Sequence, residues 1–199
     1  MCDFWRTIMN ILLTGGTGYI GSHVAVSLTK AGHKVILFDN LSNSTLETRL
    51  ILNKILKIKI PFFKGDIINI QDLQNVFSKF DIDAVFHFAG LKSVSDSIIN
   101  PIDYYNINFL GTFNLINVMR EKKVKNFVFS SSATVYGKPK YLPIDEKHTT
   151  NPINPYGKIK LYIEQMLYDI ALSDNDWRIV CLRYFNPIGS HESGLIGDN

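Results

Sequence analysis

Tyr156 and Lys160 stand four residues apart in the run Tyr156-Gly157-Lys158-Ile159-Lys160. On a helix that spacing puts a phenol and an ammonium on one face. A tyrosine is a poor base at neutral pH, because its reference pKa is about 10. Lowering it by ~3 units takes ~4 kcal/mol of favourable interaction with the phenolate. The Lys160 ammonium supplies part of this, and a second positive charge would have to supply the rest. Such a pair can take up and return a proton. By itself YxxxK also describes a surface tyrosine beside a solvated lysine. Ser132 closes the run Ser130-Ser131-Ser132 and could bridge a substrate hydroxyl to Tyr156. Three serines together also suit a strand-end loop.

A second constellation lies near the start. Gly15, Gly18 and Gly21 follow GxxGxxG. Gly15 permits a tight turn, Gly18 lets backbone approach a pyrophosphate, and Gly21 lets the next helix pack close. The N-terminus of that helix offers free N–H groups and a partial positive charge. With a strand before and a helix after, the pattern predicts dinucleotide binding rather than a plain turn. Asp39 follows 18 residues beyond Gly21. A carboxylate there accepts from both adenosine ribose hydroxyls and repels a 2′-phosphate, which favours NAD over NADP. The nicotinamide ring of NAD would be the second positive charge beside Tyr156. The other reading of Asp39 is a turn cap within Asp39–Ser44. Asp66 suits the adenine amino group or a cap of the following helix. No His or Cys spacing predicts a metal site.

The elements that must position these residues alternate. Short apolar runs predict strands over 9–15, 34–39, 61–67, 83–89, 124–132 and 177–185. Helical spacing predicts helices over 18–31, 44–57, 70–80, 101–121 and 155–174, the last opened by Pro155. Six alternating strands predict an α/β fold with a parallel sheet, and right-handed crossovers make it a Rossmann-type doubly wound one. Each motif falls at or just after the carboxyl end of a strand, where such sheets bind ligands. Phe127, Phe129 and Cys181 are expected in the core, and His87 in the core or the site wall. Ile102, Phe109, Phe113 and Ile116 form an apolar stripe that would either cover the sheet or build a dimer's helix bundle.

Composition sets the outer bounds. The chain has 199 residues, 46% hydrophobic and 20% charged, with net charge +3, as an ordinary globule has. That length makes one domain, or one and the start of another. Lysines are scattered and no basic stripe alternates with aromatic residues, so nucleic-acid binding is not expected. No run of 18 apolar residues predicts a membrane span, and residues 1–8 lack the apolar stretch of a signal peptide. Met9, directly before the first strand, is expected as the start. Two cysteines, Cys2 and Cys181, fit a reducing cytoplasm.

Together TGGTGYIGSH (14–23), DNLSNS (39–44), GDI (65–67), FAGLK (88–92), FSSSATVYG (129–137), NPYGKIK (154–160) and RYFNPIGSH (183–191) resemble the extended short-chain dehydrogenase/reductases. Among these they resemble the UDP-glucose 4-epimerase family. The resemblance runs from Met9 to the end of the chain. It implies Tyr156 as base, Lys160 as its electrostatic partner and ribose ligand, and Ser132 as proton shuttle. It implies cofactor contacts from Tyr19 and Ile20 to the pyrophosphate, and from Asp39, Asn40, Leu41, Ser42, Asn43, Ser44, Asp66 and Ile67. Phe88, Ala89, Gly90, Leu91, Lys92, Asn108 and Phe185 would also line the cofactor. Lys92 would further reach the phosphates of a UDP-sugar, and Asn186 the substrate. NAD would be reduced and regenerated in place, in a homodimer. Ile107 departs from the asparagine the family often has there. Ala133 and Thr134 replace the carboxylates of related dehydratases. The resemblance also implies an N-terminal extension over 1–8, an NAD-binding domain over 9–186 and the start of a sugar-nucleotide domain over 187–199 that continues beyond Asn199, so the chain is expected to be a truncated form. The alternatives are a cofactor-binding fragment without turnover and another NAD-dependent nucleotide-sugar reductase or epimerase.

Overall fold

The computed structural model describes residues 8–197, so residues 1–7 of the expected extension, with Cys2, lie outside the described residues. Six strands form one parallel sheet: β1 (Asn10–Thr14), β2 (Lys34–Asp39), β3 (Phe62–Lys64), β4 (Ala84–His87), β5 (Asn126–Ser132) and β6 (Arg178–Tyr184). Their order is β3-β2-β1-β4-β5-β6. The direction of winding reverses between β1 and β4, whose last residues, Thr14 and His87, are register partners. A crevice opens there beyond the carboxyl ends. The expected doubly wound architecture is the observed one.

The strand sequences explain why both sheet faces are covered. Along β1, Ile11 and Leu13 pack with Ala25, Val26 and Leu52, while Leu12 packs on the other face with Leu73, Leu115 and Ile163. Side chains alternate faces, so a strand covered on both reads as an unbroken apolar run. The first face carries α1 (Tyr19–Lys30) and α2 (Leu46–Leu56); the second carries α3 (Ile70–Lys79), α6 (Gly111–Glu121) and α7 (Pro155–Ser173). Each fully buried aliphatic side chain contributes roughly 1.5–3 kcal/mol. Phe127 and Phe129 are core residues, as expected.

Three expectations change. Cys181 is exposed rather than buried. β6 is one of the two edge strands, and Val180 beside Cys181 is 50% exposed, so an apolar run does not mean two covered faces here. The helix expected over 101–121 is α5 (Pro101–Tyr104), a π-helical turn (Tyr105–Leu110) and α6. Thr112 Oγ1 donates to the Asn108 carbonyl at 2.6 Å, a side-chain bond that competes with the regular ladder. A six-residue helix, α4 (Val94–Ile99), precedes them, with the Ser93 side chain accepting from Asp96 N–H. It is too short to show a helical period. The apolar stripe divides: Ile116 is buried and Phe109 packs on the core, whereas Ile102 and Phe113 are exposed. No described helix is long and apolar enough to cross a membrane.

Candidate functional site

At the end of β1 the chain turns through Gly15 with φ +67°. A Cβ there would come within 2.6 Å of Ala89 N, and one on Gly21 would run into the Gly15 carbonyl. Only glycines therefore let β1, the loop after β4 and the first turn of α1 approach this closely. Gly18 is the N-cap of α1, with no side-chain cap and no acidic residue in the first turn. The free N–H groups of the first turn and the positive end of the helix dipole thus face the crevice with no acidic side chain of that turn upon them. Ile20 is half-buried in that first turn. Tyr19 turns its hydroxyl away, donating to Gly189 O at 2.6 Å, and holds the segment after β6 against α1.

Asp39 ends β2 and is buried. Its Oδ2 accepts from Thr17 N–H at 3.1 Å, and its Oδ1 from Leu41 N–H at 2.9 Å and Ser44 Oγ at 3.1 Å. The carboxylate therefore acts as the turn cap of Asp39–Ser44 and ties that turn to the phosphate loop. Thr17, not foreseen from sequence, adds a second tie through its hydroxyl to Ser44 Oγ at 2.7 Å. Ser42 N–H donates to Asn40 Oδ1, and Asn40 Nδ2 to Asp66 Oδ2 at 2.8 Å. Asn40, Ser42 and Asn43 line an exposed rim of this turn. Asp66 does not cap α3; Asn69 does, accepting from Gln71 N–H. Asp66 instead accepts from Ile68 N–H in a local turn, and Ile67 is a core residue.

The loop after β4, Phe88 to Lys92, is held by a buried chain of bonds. Ala89 N–H lies 3.5 Å from Thr14 Oγ1, which lies 2.6 Å from His87 Nδ1. His87 Nε2 lies 2.9 Å from Thr112 Oγ1, whose proton goes to the Asn108 carbonyl. That fixes the direction: His87 donates from Nε2 and accepts at Nδ1. Burial, with the Lys160 charge behind it, pushes His87 down to about 3, so the ring is neutral. The Asn108 side chain then grips Leu91 both ways, accepting from its N–H at 2.7 Å and donating to its carbonyl at 2.9 Å. Asn108 is 2% exposed, and its amide positions the loop. Gly90, with φ +151°, fits against it. His87, expected in the core or the site wall, is buried with both ring nitrogens bonded, but its partners Thr14 and Thr112 carry no sequence signal.

Across the crevice, α7 begins as expected at Pro155, with Asn154 Oδ1 accepting from Gly157 N–H at 2.8 Å. Tyr156 is half-buried and packs edge-on to Tyr104. Burial raises its phenol above the ordinary range, and the Ser132 hydroxyl acts in the opposite direction. Ser132 is buried at the end of β5 and accepts from Thr134 Oγ1 at 2.9 Å. Lys160 is 7% exposed. Its Nζ donates to Ser130 O at 2.7 Å and lies 4.7 Å from the centre of the Phe129 ring. Burial lowers it to about 8, against a raising pull from Glu164. The phenol, the hydroxyl and a buried ammonium thus meet where a proton could be exchanged. Beneath them Glu164 accepts from Ser131 Oγ and pairs with Arg183 at 2.7 Å. Lys92, Phe185 and Asn186 sit at the exposed rim, Phe185 at 59% exposure. Among the described residues no group of three metal-ligating side chains forms.

Comparisons with known proteins match nearly the whole chain. The profile of the NAD dependent epimerase/dehydratase family matches residues 11–197. A UDP-glucose 4-epimerase of Cyamopsis tetragonoloba is 48% identical over 193 residues, which is 95% of this chain and 54% of that one. The UDP-glucose 4-epimerase of Bacillus subtilis is 46% identical over 191 residues, 96% of this chain and 56% of that one. The crystal structure of the Bifidobacterium longum UDP-glucose 4-epimerase in complex with NAD+ and UDP superimposes with a TM-score of 0.93 at 44% identity, over 96% of this chain and 57% of that one. The chain spans about half the length of the relatives it matches.

Proposed function

The chain belongs to the NAD dependent epimerase/dehydratase family, and from that premise we propose that it is the cofactor-binding half of a UDP-glucose 4-epimerase. The observation that carries this reading is the meeting of Tyr156, Ser132 and Lys160 opposite the uncapped glycine turn at the β1/β4 crevice. The site fits NAD. The bare α1 N-terminus would take the pyrophosphate, and Asp39, whose Oδ2 has one protein donor, would accept from the ribose. Leu41 to Ser44, Asp66, Ile67 and the Phe88–Lys92 loop would line the cofactor, with Phe185 at the rim and Asn108 acting through Leu91. NAD would supply the acceptor and later the donor of hydride at sugar C4.

The chain's own residues would handle the proton. Tyr156 takes it from the sugar 4-hydroxyl through Ser132 and later returns it. Burial alone makes the phenolate costly, so the Lys160 ammonium is required to hold it. Lys92 and Asn186 would meet the UDP-sugar. Ala133 and Thr134 bring no carboxylate beside Ser132, which favours epimerisation over dehydration. We assign residues 9–186 to the cofactor domain. The exposed Ile102, Phe113 and Tyr162 on α5, α6 and α7 support a homodimer. A free, exposed Cys181 supports a reducing, cytoplasmic setting.

Titration of the purified chain with NAD and NADP, followed by an assay of UDP-glucose/UDP-galactose interconversion, tests the reading. The expected result is one NAD per chain with NADP bound at least ~10-fold more weakly, as a carboxylate at the ribose requires. Tyr156→Phe should keep NAD and lose at least ~100-fold of any turnover, the usual contribution of a positioned acid–base group. Equal affinity for NADP, or unchanged turnover in Tyr156→Phe, would overturn it. NAD binding without turnover would leave the cofactor role alone.

A further inference from the structure

Three consecutive residues of β5 meet three successive turns of α7. Ser132 acts on Tyr156, the Ser130 carbonyl accepts from Lys160, and the Ser131 hydroxyl donates to Glu164. Tyr156, Lys160 and Glu164 are spaced i, i+4 and i+8, so they lie along one face of the helix. The serine run is therefore more than strand-end polarity: each of its residues fixes one member of the helical row. Glu164 has a further anchor, since Arg183 of β6 binds it through Nε and Nη2, and Arg183 in turn covers the Tyr136 ring at 4.8 Å. The Glu164 side chain is only 9% exposed. A carboxylate this well tied keeps both its charge and its position.

We propose that Glu164 is a positioning residue that keeps Lys160 charged at working pH, making the site a three-member row, YxxxKxxxE, rather than a pair. Lys160 is buried over Phe129 with one hydrogen bond recorded to a neutral carbonyl, and burial disfavours its charged form. The groups facing it are Tyr156 and Glu164 on its own helix, His87 from β4, the Ser130 carbonyl from β5, and, beyond Glu164, Arg183 from β6. His87 is neutral, so Glu164 is the anion acting on it. The consequence for turnover rests on the epimerase reading, whereas the charge coupling does not.

The test is an NMR titration of the full chain labelled with 13Cε-lysine, with the Lys160 signal identified by its loss in Lys160→Met. The Lys160 midpoint should lie near 8 in the unaltered chain and fall by about one unit or more in Glu164→Gln. The double variant Glu164→Gln/Arg183→Gln should keep most of that fall. Its return to the starting midpoint would mean that a stranded Arg183 caused the drop, and would overturn the proposal. So would an unchanged or raised midpoint in folded Glu164→Gln. If Glu164→Gln fails to fold, Glu164→Asp, which keeps the charge but withdraws it, should lower the midpoint by a smaller amount, and no change there overturns the proposal equally. An NAD titration of the same unaltered sample separates the two claims. Failure to bind NAD would count against the proposed function while the Lys160 midpoint still decides this one.

Discussion

The two halves of the sheet build their parts of the site from different materials. Around β1 to β3 the work is done by backbone: a glycine turn, an uncapped helix end and the turn that Asp39 ties to Thr17 and Ser44. Around β4 to β6 it is done by buried side chains: His87, Asn108, Ser132 and Lys160. Polyanion binding needs many N–H groups in one place, which backbone provides without desolvating a charge. Proton transfer needs titratable groups with displaced pKa values, and displacement requires burial or a charged neighbour. The first half should therefore be sensitive to added volume. The second should respond to pH.

The largest effect belongs to His87. Its folded pKa of about 3 lies well below the ordinary value of 6.5. Between those limits the unfolded chain holds more protons than the folded one, so stability falls as pH drops through that window. The full loss is about 5 kcal/mol by pH 3, at ~1.4 kcal/mol per unit. Urea unfolding of His87→Gln should give a flatter dependence between pH 6.5 and 4 than the unaltered chain. Equal slopes would move the acid sensitivity elsewhere and break the contrast. Next is Gly21→Val, whose Cβ meets the Gly15 carbonyl. We expect a loss of about 3 kcal/mol, little changed from pH 5 to 8, together with loss of NAD binding. Retained NAD affinity would show that the turn is less tightly specified than its geometry implies.

The same division explains what could be read from sequence. Backbone devices leave a spacing signature, so Gly15, Gly18, Gly21 and Asp39 were legible, as were the six strands. Tyr156 and Lys160 were legible because both lie on one helix. Side-chain wiring between distant elements leaves no local pattern. Thr14, His87 and Thr112 come from three elements and meet only in the fold. The resemblance makes Asn108 a cofactor contact, whereas the π-helical turn aims its amide at Leu91. Glu164 shared the spacing of the helix row yet carried no signal until Ser131 and Arg183 were beside it. Cys181 misled for a related reason: an edge strand and a central strand can have the same apolar run.

Lys160 gives the finest test, because there stability and proposed function pull in opposite directions. Its folded pKa of about 8 lies below the ordinary 10.5. Between these values the unfolded chain binds more protons, so stability rises with pH across that window. Below pH 8 both states are charged and the cost of burying the ammonium is constant, about 3 kcal/mol. Lys160→Met removes that cost and fills similar volume over Phe129, but strands the Ser130 carbonyl, at about 1 kcal/mol. The net expectation is a variant about 2 kcal/mol more stable at pH 7. Its advantage should shrink as pH rises from 8 towards 10.5, and any turnover should be lost. A less stable variant at pH 7 would mean that the ammonium is held by stronger bonds than the one to Ser130. The second half would then owe its pH response to His87 alone. A gain in stability would show instead that the chain keeps a charged group in its interior at a cost that only a role in the site accounts for.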